Sequence, residues 1–278
     1  MTTRTSDAAP PTARASTGRA SGFVPSVLLV LEGQWIWYRL NWRATLISSV
    51  LLPVLFLVAM GMGMGALVEP SEATRGLDYL VYLAPAMLVV GAVQTAAGEA
   101  TYPVLSGFKW QKNFWAVTAT PISPEQIACG KLLWIMLRLT FSGVAFLAVA
   151  ALLGAVAGVG VLLSLVFAVL TGMALAAPVV AVAARMQGEG DGFNALFRFI
   201  VLPMMLFAGT FYPISRLPEP LQPIAWVAPL WHGTELARGA AFGTLAPLPT
   251  LGHLTYLIGL FLVGTVLSCR MFRKRLVV

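Results

Sequence analysis

The sequence predicts an all-α membrane protein of six transmembrane helices with both termini in the cytosol. An N-terminal interfacial helix, a short cytosolic helix after span two and a re-entrant outer hairpin between helices 5 and 6 complete it. Three observations carry this reading. First, the 278 residues are 58% hydrophobic and 10% charged, where a soluble domain has about 25% charged; no soluble core absorbs that much apolar surface. Second, long apolar runs recur at 45–68, 79–104, 132–154, 160–184, 195–213 and 254–269, each near the ~20 residues needed to cross ~30 Å of hydrocarbon. They lack the alternation of barrel strands, so their backbone must be satisfied as helix. A large soluble helical bundle would need polar faces that these runs lack. Third, Lys and Arg are asymmetric. Arg4, Arg14, Arg19, Arg39, Arg43, Lys109, Lys112, Lys131, Arg185, Arg198, Arg270, Arg273, Lys274 and Arg275 fall on one side, against Arg75, Arg216 and Arg238 on the other. The positive-inside rule makes the first side cytosolic, in a cell's inner (plasma) membrane. All eight tryptophans fall outside the spans or at their edges, the headgroup level that amphipathic rings favour.

Element by element, residues 1–22 are Thr, Ser, Ala, Pro and Arg with almost nothing to bury, a disordered cytosolic tail. The apolar run after it starts late and is broken by Glu32, Gln34 and Arg39, so no signal-peptide cleavage is expected. Residues 23–44 read as a helix lying on the inner membrane surface. Glu32, Arg39 and Arg43 share an arc of about 40°, beside a stripe of Leu28, Leu31, Trp35, Tyr38 and Trp42. The alternative is an irregular extension of the first span. The six-helix transmembrane region proper runs over 45–278. In span one, GMGMG has no strand before it and fails as a phosphate loop; Gly61 and Gly65 form a GxxxG for close helix packing.

Glu99 in span two and Arg138 in span three are charges set inside the membrane at similar depth on neighbouring helices. A structural ion pair or a substrate contact would each explain them. Between these spans lies FKWQKNFWAVTATPISPEQIACGK. Residues 114–120 allow a short helix stopped by Pro121, and SPEQ offers Ser123 and Gln126 as a capping box for the next. Exposed Phe114, Trp115 and Val117 would then seek a partner's groove; headgroup-seated tryptophans are the alternative. GEGDG at 188–192 reads as a turn rather than a calcium loop. From Pro213 to His253, seven prolines rule out one continuous helix. Its apolar LQPIAWVAPLW is too short to span and reads as a re-entrant hairpin.

Several chemistries are excluded. CGKLL lacks the upstream glycine and following hydroxyl of a P-loop, so any ATP that drives this protein binds another chain. His232 and His253 have no neighbouring ligand-type residues in sequence, against a zinc site. Cys129 and Cys269 are far apart, outside any CxxC, and are expected as free thiols. The basic residues form no aromatic-interleaved stripe, against nucleic acid.

DYLVYLAPAML at 78–88, GEATYPVLSGFKWQKNFWAVTATPISPEQIACGK at 98–131 and PMMLFAGTFYPISRLPEPLQPIAWVAPLWHGTELARG at 203–239 stand in an order that resembles one family. It is that of the permease subunits of type-2 ATP-binding-cassette exporters, in the nodulation lipo-oligosaccharide and daunorubicin-resistance branches. A family pattern of FPxxxLP, then PLxH and a later Arg falls on Tyr212–Pro213, Leu217–Pro218, Pro229, Leu230, His232 and Arg238, with Tyr212 in place of the usual Phe. The resemblance implies a half-transporter paired with a second copy and with two cassette ATPase subunits that hold ATP and Mg. No cofactor is implied in this chain; membrane lipid surrounds it. Residues 23–44 would be the connecting helix and the 108–131 stretch the coupling helix. Phe114, Trp115, Thr118 and Pro121 would contact the ATPase, and the cargo would be a glycolipid, a lipid-linked oligosaccharide or a hydrophobic drug. A membrane-embedded lipid or glycosyl transferase and an ATP-independent carrier are the alternatives; the first lacks paired acids, the second an internal repeat.

Overall fold

The structure is a computed structural model that describes residues 22–65, 74, 76–212 and 214–277. The expected tail therefore lies outside the described residues except for Gly22, as does part of the first outer loop. Helices and turns make up all that is described.

α1 (Phe23–Phe56) runs for 34 residues and continues as a π-helix over Leu57–Met64. No break separates the stretch at 23–44 from the first expected span. Nothing there could make one: LNWRATLIS holds neither Gly nor Pro, and the helical hydrogen-bond ladder simply propagates. The wider π turn brings Gly61 directly against Leu80, where any Cβ would collide. The glycine at this position thus serves close packing.

α2 (Tyr79–Ala100) is started by Asp78, whose carboxylate accepts from the Leu80 amide at 3.1 Å. Thr101 interrupts it, folding its hydroxyl back onto the Ala97 carbonyl at 2.8 Å, and α3 (Tyr102–Phe108) follows with Pro103 in its first turn. α4 (Asn113–Thr118) is entered through Lys112 in the left-handed conformation, φ 53°. α5 (Pro124–Leu152) opens with a complete capping box. The Ser123 hydroxyl accepts from the Gln126 amide at 3.3 Å, and the Gln126 side chain accepts from the Ser123 amide at 2.7 Å.

α6 (Val161–Arg185) carries the strongest apolar character and leads through α7 (Asp191–Leu196), a π turn at Phe197–Val201 and α8 (Leu202–Phe207) to a sharp bend at Gly209. α9 (Gln222–Val227) and α10 (Pro229–Ala241) form the short helix pair of the proline-rich region, and α11 (Pro247–Leu276) closes the chain.

Among the described residues four helical segments are long and apolar enough to cross a membrane: Tyr79–Phe108, Pro124–Leu152, Val161–Arg185 and Pro247–Leu276. The first expected span is present as the shorter apolar stretch Val50–Gly63 of the α1 continuation. The fifth is one helical run over 191–207, α7 continuing through the π turn into α8, and the turn at Gly209, φ 73°, ends it short of the four long helices.

α2 and α6 lie at the centre, and α10 packs against both. α11 flanks α6 and turns most of its apolar surface outward, as a lipid-facing helix would. Helix prolines seat over glycines of their neighbours, Pro53 over Gly91 and Pro178 over Gly264. Buried hydroxyls tie helices across the bundle: Ser164 donates to the Ala237 carbonyl at 2.7 Å and Ser268 to the Ala177 carbonyl at 2.7 Å.

At one end of the bundle Arg275, on the last turn of α11, donates to the carbonyls of Ala184 and Met186 at 2.8 Å each. It thereby caps α6, a placement that suits a cation at a helix C-terminus. The glycine turn at 188–190 sits at the same end. Glu189 grips Lys109 in an ion pair and accepts from the Trp110 indole at 3.3 Å. The hydrogen bond from Lys109 holds the exposed Glu189 carboxyl below its ordinary range.

Candidate functional site

α4 has two faces with different fates. Phe114 was expected to project toward a partner; it is 3% exposed instead. Its ring lies edge-on to Phe108 of α3 at 4.9 Å and beside Phe272 of α11 at 5.3 Å, while Phe108 and Phe272 meet at 4.8 Å. The reason is steric and apolar. Gly107 leaves bare backbone that the Phe114 ring covers, and three rings bury one another more completely than any could alone. Arg275 stacks over Phe108 at 4.3 Å.

The opposite face of α4 remains accessible. Trp115 is 36% exposed, and its indole donates to the Phe108 carbonyl at 3.1 Å, which orients the ring. Thr118 is half-buried and folds its hydroxyl onto the Trp115 carbonyl at 2.8 Å. Pro121 is exposed in the turn before Ser123.

Just beneath α4 the structure brings Glu99 and Arg138 together, Oε1 to Nε at 3.1 Å. It adds a third group, Lys131, with Nζ 3.4 Å from Glu99 Oε2. Both cations are almost fully buried, and Arg138 also stacks over Tyr38 of α1 at 4.7 Å. One carboxylate therefore serves two cations and links α2 to α5, with α1 laid over the top. Lys131 was readable as the residue two turns before Arg138 on one helix face; Tyr38 carried no such signal.

The residues of the outer motif gather at the opposite end of α6. Pro229 takes the first position of α10, where its fixed φ and missing N–H do no harm. Arg238 is buried and donates from Nη1 to Gly209 O at 2.8 Å and from Nη2 to Thr210 O at 2.6 Å. Its guanidinium lies 4.1 Å above the Tyr82 ring of α2. The carbonyls released by the bend after α8 are thus captured by one side chain, and α10 is fastened to α2. Tyr212 donates to the Leu206 carbonyl at 3.3 Å, and Pro213 lies outside the described residues.

His232 and His253, distant in sequence, stand with their Nδ1 atoms 2.8 Å apart. His232 Nε2 lies 2.9 Å from the Trp226 carbonyl, so Nε2 carries the proton and Nδ1 of neutral His232 accepts from His253. Burial pushes the His232 imidazole below its ordinary value. Tyr256 stacks on His232 at 4.1 Å and donates to the Val227 carbonyl at 2.5 Å. This is a joint between α9, α10 and α11; among the described residues no group of three ligand-type side chains forms. Cys129 and Cys269 are free thiols with their Sγ atoms 3.8 Å apart, a neighbourhood the sequence did not announce.

The comparisons with known proteins agree with this architecture. Nodulation protein J of Rhizobium meliloti (strain 1021) is 27% identical over 248 residues, covering 87% of this chain and 92% of that protein. The Rhizobium leguminosarum bv. viciae protein of the same name is 27% identical over 247 residues, covering 87% and 93%. That of Sinorhizobium fredii is 29% identical over 223 residues, covering 77% and 84%. Residues 25–242 match the ABC-2 type transporter family, a match that takes in α1, α4, the buried charges and the outer motif alike. Such membership sets aside a membrane-embedded transferase and implies a separate ATPase partner. The chain belongs to the ABC-2 type transporter family, as a multi-pass, non-catalytic membrane permease subunit.

Proposed function

We propose that this permease moves an amphipathic or lipophilic cargo (a glycolipid, a lipid-linked oligosaccharide or a hydrophobic drug) out of the cytoplasm. It works as one of two permease copies bound to two cassette ATPase subunits that hold ATP and Mg. The likeness to the nodulation lipo-oligosaccharide branch supports the cargo class and the outward direction. Six spans are counted by adding the short α1 continuation and the α8 segment to the four long helices. The clustering of Lys109, Arg185, Arg273 and Arg275 with α4 at one end supports a cytosolic position for that end and for both termini.

The observation that carries the reading is the division of α4. Its inner ring, Phe114, is locked among α3 and α11, while Trp115 and Pro121 stay accessible on the other side and Thr118 is partly so. A lever needs both a fixed end and a free face. ATPase closure pressing on the free face would reach α11 and α3 through the aromatic seat, and α2 and α5 through the adjoining helix ends. Trp115→Ala in the intact permease–ATPase complex should leave ATP hydrolysis within about twofold and cut transport about tenfold. Full export by that variant would remove α4 as the coupling element.

A further inference from the structure

Near their cytosol-assigned ends α5 and α11 meet through two polar contacts. Cys129, in the second turn of α5, and Cys269 of α11 are free thiols with their Sγ atoms 3.8 Å apart, and both are partly exposed. One turn before Cys129, the Glu125 carboxylate lies 3.7 Å from Nε of Arg273, which stands one turn after Cys269. Arg273 is 72% exposed, so water competes for that ion pair and it holds the two helices only weakly. Between Cys269 and Arg273 on α11 comes Phe272, the ring that lies beside Phe114 of α4 at 5.3 Å. The thiol pair therefore sits one turn from the seat of α4, at a contact that nothing covalent secures.

We infer that Cys129 and Cys269 form a reversible oxidation site, in which hydrogen peroxide converts the dithiol into a disulfide that clamps α11 to α5. The sulfurs already touch, and the S–S bond of about 2.05 Å asks them to close by about 2 Å, within reach of side-chain rotation. One thiolate attacks a peroxide oxygen. Its S–O bond forms as the O–O bond breaks, and the departing hydroxide takes up a thiol proton to become water. The second thiolate then attacks the sulfenic sulfur. The S–S bond forms, the S–O bond breaks, and the hydroxide leaves as a second water with the other thiol proton. Together the sulfurs lose two electrons to the peroxide, and a small dithiol returns them by exchange. The consequence follows from what each helix carries. α11 bears the seat of α4, and α5 bears Lys131 and Arg138, which share Glu99 of α2. A covalent tie would stop these two helices from shifting against each other when α4 is pressed. That consequence rests on the proposed coupling through α4; the oxidation site itself does not.

The test uses the permease–ATPase complex in proteoliposomes, treated with hydrogen peroxide at about one equivalent per thiol pair and then with dithiothreitol. Mass spectrometry of the unreduced digest reads the link. Hydrogen–deuterium exchange at α4 and the last turns of α11 reads the response to ATP with vanadate. About half of the copies or more should carry the Cys129–Cys269 link, the exchange response should fall about tenfold, and dithiothreitol should restore both. Cys129→Ser and Cys269→Ser should each keep the full response after peroxide. Sulfinic acid without a link, a link between two copies, or a full response in the linked complex overturns the inference. So does an equal loss of response in either serine variant. A reversible link in a complex whose reduced form ignores ATP would instead overturn the coupling reading and leave the oxidation site standing.

Discussion

Glu99 is the residue on which most charge depends. Replacing it with glutamine removes the carboxylate that Lys131 and Arg138 share, and should destabilise the permease by roughly 3 kcal/mol. The expected readout is a lower unfolding midpoint and poor yield in detergent. Combining Glu99→Gln with Arg138→Gln should recover part of the loss, since only Lys131 is then left unbalanced; normal yield with altered cargo preference in the single variants would instead assign the cluster to cargo contact. His232 titrates with a definite sign. Its imidazole is held by burial below the ordinary 6.5, so the unfolded chain takes up a proton at a higher pH than the folded one. The stabilisation it gives is complete above that value and is lost as pH falls through the lower folded-state value. Thermal midpoints should therefore decline as pH falls below about 6.5, with a flatter slope in His232→Gln. The pairing of Glu99 with Arg138 was foreseeable, because unpaired charges do not persist at that depth. The third member was harder to see, because a lysine near a span's end is usually assigned to the interface.

Among the elements, α4 shows what a sequence reveals and what it withholds. Its start, its stop and the capping box that begins α5 follow from Pro121, Ser123 and Gln126, all local signals. Which of its aromatic residues faces inward depends on Gly107 and on Phe272, the latter 158 residues downstream of Phe114. Gly107→Val tests that seat. The new side chain would occupy the position of the Phe114 ring, displace α4 and lower transport coupled to ATP hydrolysis about tenfold, with the bundle itself intact. Unchanged coupling would mean that the aromatic seat does not transmit force. α1 offers the complementary case. Its charges marked residues 23–44 as a surface helix, yet an unbroken ladder carries it on to Phe56 with Tyr38 packed on Trp134 at 5.3 Å.

At the scale of the whole molecule, the prediction concerns how the last helix meets the middle of the chain. Cys129 on α5 and Cys269 on α11 should join on treatment with copper–phenanthroline. Two thiols would lose two hydrogens to the oxidant and form one S–S bond, detected as a mass loss of about 2 Da in a linked peptide pair. Failure to cross-link in the folded complex would mean that α11 does not lie against α5 at that end. The solvent of this protein was legible in its sequence, because hydropathy and the placement of Lys, Arg and Trp report the cost of each side chain in lipid, position by position. Helix starts and stops were legible too, since capping acts within four residues. The sharing of Glu99 by two cations, the inward turn of Phe114, the capture of the Gly209 and Thr210 carbonyls by Arg238 and the meeting of two cysteines and two histidines were decided only by the tertiary structure. Each depends on which face of one helix meets which face of another, and that is fixed by steric fit between segments far apart in the chain.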